Sequence, residues 1–152
     1  MNELFLLLNK HNLTIATAES ITGGSFASEI TKLPNASKVF KGCIVSYSNE
    51  SKQKILKVKT KNGVINQQTA TQMAIKVRNI FNVDFGISFT GNAGPISMED
   101  RPVGLTYLAI SFNHQLFEFE FQAKSEKRIE IIAETIIFSI EELKKIIKNH
   151  YL

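Results

Sequence analysis

The chain has 152 residues, 43% of them hydrophobic and 21% charged, with a formal net charge of +4. That length and apolar content fit one globular domain with its own core, residues 1–152, and exclude a disordered or low-complexity chain. The positive charge is spread over lysines such as Lys144, Lys145 and Lys148 with acidic residues between them, which describes a solvated surface and argues against a nucleic-acid partner.

Leu4, Leu7 and Leu8 fall on one stripe of a first helix that stops between residues 9 and 12, and residues 13–17 read as a short strand. The turn Thr17-Ala18-Glu19-Ser20-Ile21-Thr22-Gly23-Gly24 follows, and a helix over residues 25–31 is stopped by Leu33-Pro34-Asn35. Residues 39–47, rich in β-branched and aromatic side chains, predict a mostly buried strand running into Ser48-Asn49. Asn49 is placed to cap a helix over residues 50–56, so that Tyr47 and Lys52 flank a helix start. After the Asn62-Gly63 turn, residues 67–81 predict an amphipathic helix with Ala70, Met73, Ala74, Val77 and Phe81 inward.

Residues 84–89 form a second apolar strand delivering the loop Thr90-Gly91-Asn92-Ala93-Gly94-Pro95, and residues 96–102 are polar and turn-like. Residues 103–110 and 116–121 predict a hairpin around Asn113-His114, its second strand half exposed at an edge. A helical pattern over residues 126–149 runs through Ile129, Ile132, Ala133, Ile136, Ile140, Leu143 and Ile147. Strands alternating with helices, then a hairpin and a long helix, predict an α/β fold: a three-layer α/β/α sandwich with a mixed, mainly parallel sheet and an antiparallel hairpin.

Cys43 is the single cysteine and lies in the apolar run Gly42-Cys43-Ile44-Val45, which predicts a buried small hydrophobe rather than a reactive thiol. His11, His114 and His150 lack a second ligand at helical spacing and read as surface or cap residues, so no metal site is expected. The apolar stretch near Met1 has no positive leader and is too short to span a bilayer, so a cytoplasmic protein without a membrane partner is expected.

Ser20 is expected at a strand's carboxyl end, beside the N–H groups that open a helix, where a developing oxyanion is stabilised. A serine hydroxyl needs a base at neutral pH, and a lysine whose pKa is lowered by burial serves where no histidine has a claim. Taken alone, however, Ser20 reads first as a helix cap and Lys52 as a solvated lysine. The glycines of residues 90–95 suit close approach to a phosphate, a ribose or a carboxamide, or else a tight turn.

Together and in this order, residues 17–24, Val45-Ser46-Tyr47-Ser48-Asn49-Glu50-Ser51-Lys52, and residues 90–95 followed by Arg101-Pro102-Val103-Gly104 resemble the C-terminal domain of the CinA family. Its enzymatic members are nicotinamide-nucleotide amidases, and the resemblance covers nearly the whole chain. Residues 47–52 resemble the family's Tyr-Ser-Asn-Glu-Ala-Lys signature, with Ser51 in place of alanine. The resemblance implies a catalytic set of Ser20, Tyr47 and Lys52. On that resemblance Ser20 attacks the carboxamide carbon, Lys52 takes its proton, and Tyr47 relays or hydrogen-bonds that proton toward the leaving ammonia. It further implies a small nucleotide substrate, nicotinamide mononucleotide, with no cofactor and no metal, and a homo-oligomer. Substrate contacts are implied for Thr22, Gly23, Gly24, Asn49 and for Thr90, Gly91, Ala93 and Gly94. Glu19 binds substrate hydroxyls, orients Lys52, or answers the positive end of the following helix.

Two departures from the family stand out. Its members continue the Ala-Gly-Pro loop with two glycines and a lysine, whereas this chain has Ile96-Ser97-Met98-Glu99-Asp100 and then Arg101, which keeps the charge. They also carry a Gly-x-Arg before the last helix, where this chain offers Lys124, Lys127 or Arg128 as the phosphate partner. Two rival readings follow: a catalytically impaired nucleotide-binding or interaction module, and an amidase acting on another small amide.

Overall fold

A computed structural model describes residues 1–151 of the chain. The elements run α1 (Asn2–Lys10), β1 (Ile15–Glu19), α2 (Ser25–Thr31), a 3-10 turn (Ala36–Lys38), β2 (Phe40–Val45), α3 (Asn49–Lys54) and α4 (Gln67–Phe81). They continue with β3 (Phe85–Gly91), β4 (Leu105–Phe112), β5 (Gln115–Gln122) and α5 (Arg128–Tyr151). The strands form one sheet in the order β2-β1-β3-β4-β5. β1 pairs in parallel with β2 and β3, and the β3–β4 and β4–β5 pairs are antiparallel. Every strand but β4 therefore points one way, as a mixed, mainly parallel sheet with a hairpin requires.

Alternation along the strands divides the core between two helical layers. Ile15 of β1, Phe85, Ile87 and Phe89 of β3, and Leu108, Ile110 and Phe112 of β4 bury against α1, α2 and α5. Their neighbours turn the other way: Ala16 and Ala18 pack under Met73 and Val77 of α4, and Tyr107 and Ala109 under Ala70 and Ala74. Small residues on this second face let α4 lie close. A Cβ at Gly86 would collide with the Ala74 carbonyl, and Ser88 Oγ donates to the Ala70 carbonyl at 2.5 Å. Helices α1 and α5 are further joined by Glu3, which pairs with Lys144 and Lys148 at 2.7 Å each.

Several boundaries differ from the expectations, each for a tertiary reason. β1 and β3 end two residues later than predicted, because Ala18 and Glu19 still pair with β2 and β3 on either side, and Thr90 and Gly91 still pair with β4. β2 is half exposed instead of mostly buried, since it forms the sheet's edge. Ser48, not Asn49, caps α3: its hydroxyl accepts the Ser51 N–H while Ser51 Oγ accepts the Ser48 N–H. Ile129 is 78% exposed, and the buried stripe of α5 is Ile131, Ile136, Ile140, Leu143 and Ile147.

Cys43 is half-buried, with its thiol toward the Glu19 carboxylate at 3.6 Å. Burial first, and the charge of Glu19 second, push its pKa up to about 12. His11 closes the carboxyl end of α1 and stacks on Tyr151, while His150 meets the edge of Phe112. Among the described residues no helix is long and apolar enough to cross a membrane.

Candidate active site

The parallel ladder of β1 with its two neighbours continues one step past each strand end. Ser20 N–H donates to the Phe89 carbonyl at 3.0 Å, and Ser46 N–H donates to the Glu19 carbonyl at 2.9 Å. These two bonds bring Ser20 beside the Ser46 backbone at the carboxyl edge of the parallel strands, where α/β sheets characteristically place their ligands.

Lys52 closes the arrangement. It lies in α3, one turn beyond the Ser48 cap, and its side chain folds back toward the end of β2. Nζ donates to Ser20 Oγ at 2.8 Å and to the Ser46 carbonyl at 2.7 Å, and the residue is 1% exposed. Desolvation disfavours the ammonium form and lowers the pKa of Lys52 from its ordinary 10.5 to about 8, while the negative charge of Glu99 works in the opposite direction. Roughly a quarter of the amine is then neutral at pH 7.5, against about one part in a thousand for an ordinary lysine. A neutral amine in contact with a serine hydroxyl has the geometry and the protonation state that general-base activation of a nucleophile requires.

Above this pair lies a cavity of about 190 Å³ lined by Ser20, Ile21, Tyr47, Asn49, Lys52, Val64, Ile65, Thr90, Gly91, Asn92, Ala93, Met98 and Arg128. Tyr47 is 60% exposed at its mouth, and its hydroxyl accepts from Arg128 Nη2 at 2.6 Å; Nη1 of the same guanidinium donates to the Gly94 carbonyl at 2.7 Å. Of the three basic candidates before and at the start of α5, Arg128 alone lines this cavity. A larger groove of about 440 Å³ lies between α2 and α5. Its walls are mainly isoleucine, with no nucleophile and base in contact, so the chemistry points to the smaller cavity.

Other residues expected at the site are placed elsewhere. Glu19 is fully buried, and its carboxylate accepts from Thr17 Oγ1, Thr22 Oγ1 and the N–H groups of Gly24, Phe26 and Ala27 at 2.6–3.2 Å. It neither faces the cavity nor touches Lys52; it satisfies the amino end of α2. Those N–H groups are therefore occupied and unavailable to an oxyanion, contrary to the expectation for Ser20. Thr22 is spent on Glu19, and Gly23 and Gly24 take left-handed φ values of 58° and 96° in the turn. None of the three lines the cavity. Arg101 lies over the Tyr107 ring, 5.8 Å from its centre, and is also absent from the lining.

Thr90 lines the cavity, but its hydroxyl is committed to the Val64 carbonyl at 2.7 Å. Gly91 is demanded by β4, since a Cβ there would strike the Leu105 carbonyl. Asn92 was missed as a separate site residue. Its amide donates to the Ile96 and Arg101 carbonyls and accepts the Gly94 N–H, so it organises the loop from within. The signal for it was an asparagine between two glycines, where side chains commonly bond the local backbone. Ile21, Val64, Ile65 and Met98 carried no signal beyond being apolar.

Fold and site together define a layered α/β domain with a buried serine–lysine pair under a small cavity at the carboxyl ends of its parallel strands. A family model for the CinA C-terminal domain matches residues 1–147, and the chain belongs to that family. A competence-damage inducible protein of Listeria innocua is 43% identical over 123 residues, 76% of this chain and 29% of that one. One from Thermoanaerobacter sp. is 38% identical over 144 residues, 91% of this chain and 35% of that one. The chain thus spans about a third of these relatives' length.

Solved structures agree in fold. A CinA superfamily protein of Klebsiella pneumoniae superposes with a TM-score of 0.92 at 21% identity, over 96% of this chain and 94% of that one. The competence/damage inducible protein CihA of Agrobacterium tumefaciens does so with a TM-score of 0.89 at 30% identity, over 95% of this chain and 91% of that one.

Proposed function

We propose that this chain is an amidohydrolase that converts nicotinamide mononucleotide to nicotinic acid mononucleotide and ammonia. The observation that carries the reading is the 2.8 Å contact between Ser20 Oγ and the buried, readily deprotonated Lys52 amine. Neutral Lys52 takes the Ser20 proton as Oγ bonds to the carboxamide carbon, and the carbonyl oxygen becomes an oxyanion. Collapse of that adduct breaks the carbon–nitrogen bond. The proton held on Lys52 goes to the departing nitrogen, giving ammonia and a Ser20 ester. Water, deprotonated by the same amine, then cleaves the ester and restores Ser20.

The cavity's size supports this division of labour. At about 190 Å³ it is below the roughly 300–1,000 Å³ usual for drug-sized ligands, which suits the pyridine ring and its amide. The ribosyl phosphate then extends past Tyr47 and Arg128 at the mouth, where a guanidinium is a fitting phosphate partner. Tyr47 bonds Arg128 rather than Ser20 or Lys52, so its first role in this reading is to frame the mouth.

Ammonia release from nicotinamide mononucleotide by the wild-type protein, beside a Ser20→Ala variant checked by circular dichroism, tests the proposal. Release that disappears with Ser20 is the expected result. The restricted cavity also favours a second reading, hydrolysis of a smaller amide. Free nicotinamide turned over as well as the mononucleotide would select it, and no release of ammonia from either by folded protein would sink both.

A further inference from the structure

Val64, Ile65 and Met98 form one wall of the cavity, and a single carboxylate joins them. Glu99 accepts the Val64 N–H on both oxygens, at 2.9 and 3.1 Å, and the Ile65 N–H at 2.9 Å. Gly63 admits this carboxylate, since a Cβ there would come within 2.6 Å of Glu99 Oε2. From the opposite side Thr90 Oγ1 holds the Val64 carbonyl, so the wall is pinned between β3 and the strap of residues 96–101.

The strap's backbone is shaped for that contact. Met98 and Arg101 pair across a tight turn, with the Arg101 N–H donating to the Met98 carbonyl at 2.9 Å. The two residues between them, Glu99 and Asp100, have φ values of 52° and 55°. Such a turn needs positive φ at both central positions and favours asparagine or glycine. A glutamate there is conformationally costly, and the bonds to Val64 and Ile65 offset the cost. The base of the strap is fastened separately, by Asn92 Nδ2 to the Ile96 and Arg101 carbonyls and by Ser97 Oγ to the Arg101 carbonyl. Glu99 therefore serves the tip.

We propose that Glu99 is a positioning residue for Lys52, latching the strap onto the Val64–Ile65 wall and thereby setting both the closure and the charge of the cavity that holds the amine. Its charge favours the protonated form of Lys52. Glu99 is not itself part of the cavity lining, whose titratable groups besides Lys52 are Tyr47 from the β2–α3 connection and Arg128 from α5. The β1–α2 turn, the end of β3 and residues 64–65 contribute uncharged groups.

The consequence for turnover rests on the amidase reading, but the test does not. Lys52 is titrated by NMR in lysine-labelled wild-type protein, Glu99→Gln and Glu99→Gly, and hydrogen exchange is followed at the Val64 and Ile65 amides. Glutamine removes the charge at nearly constant shape, whereas glycine suits the turn and removes the latch. The Lys52 midpoint is expected to fall by about 0.3 pH units or more in both variants. The two amides are expected to exchange roughly tenfold faster or more in Glu99→Gly. An unchanged Lys52 midpoint in both variants overturns the proposal, as does unchanged protection in Glu99→Gly. A wild-type protein that releases no ammonia while the midpoint and amides respond upholds the latch and removes only the amidase reading.

Discussion

Replacing Lys52 by Met tests whether the amine is buried at a cost to the fold. In the unfolded chain this lysine titrates near 10.5 and in the folded protein near 8. Between those values the folded state binds fewer protons than the unfolded one, so the Lys52 contribution to stability rises with pH through that window and is least favourable below pH 8. At about 1.4 kcal/mol per pH unit the full swing is about 3 kcal/mol. Methionine is of similar length and does not titrate, but it forfeits the bonds to Ser20 Oγ and the Ser46 carbonyl, which contribute about 1 kcal/mol each. The variant should therefore be the more stable protein by about 1 kcal/mol near pH 7 and the less stable by about 2 kcal/mol near pH 11. Urea unfolding of both proteins followed by circular dichroism across that range reads the difference directly. Comparing the two proteins cancels the other titrating groups. A stability difference that stays constant between pH 7 and 11 would refute the argument that desolvation holds the Lys52 pKa down. In the same variant ammonia release should be lost, and wild-type turnover should rise with pH to a plateau above about 8.

Glu19→Gln should cost about 2–4 kcal/mol, because an amide cannot replace a carboxylate that accepts from two hydroxyls and three backbone N–H groups; thermal or urea unfolding checks it. A variant as stable as wild type would contradict the role of Glu19 at the amino end of α2. Arg128→Ala frees Tyr47 and the Gly94 carbonyl together and should raise KM for the mononucleotide roughly tenfold or more, with a smaller change in kcat. A loss confined to kcat would move Arg128 from binding to chemistry. Cys43, with its thiol pushed up to about 12, should react with a disulfide reagent at pH 8 only after denaturant is added. Prompt stoichiometric labelling of folded protein would show that the thiol is neither shielded nor raised.

Local pattern was sufficient for much of this molecule. The bounds of α2 and α4 were legible because a 3.6-residue apolar period and the Pro34 stop are short-range properties of the chain. The hairpin was legible for the same reason, and the order of three motifs pointed to Ser20, Lys52 and the loop at residues 90–95. What periodicity could not show was which polar groups are consumed by the fold. Glu19 and Lys52 are both charged residues beside the same turn. One disappears into the amino end of α2, and the other arrives at Ser20 from 32 residues away. Arg128 reaches Gly94 and Tyr47 across separations of 34 and 81 residues, which nothing in its neighbourhood with Lys124 and Lys127 distinguishes. The sequence by itself determined the order and type of the elements, because helix periodicity and turn chemistry act within a few residues, whereas Ser20 was singled out as a candidate nucleophile by the family resemblance of three motifs. Only the tertiary structure decided that Lys52 is buried against Ser20, that Glu19 is a cap and that Glu99 bonds the Val64 and Ile65 N–H groups, because burial and hydrogen-bond partners are set by residues that meet only when the sheet and its two helical layers close.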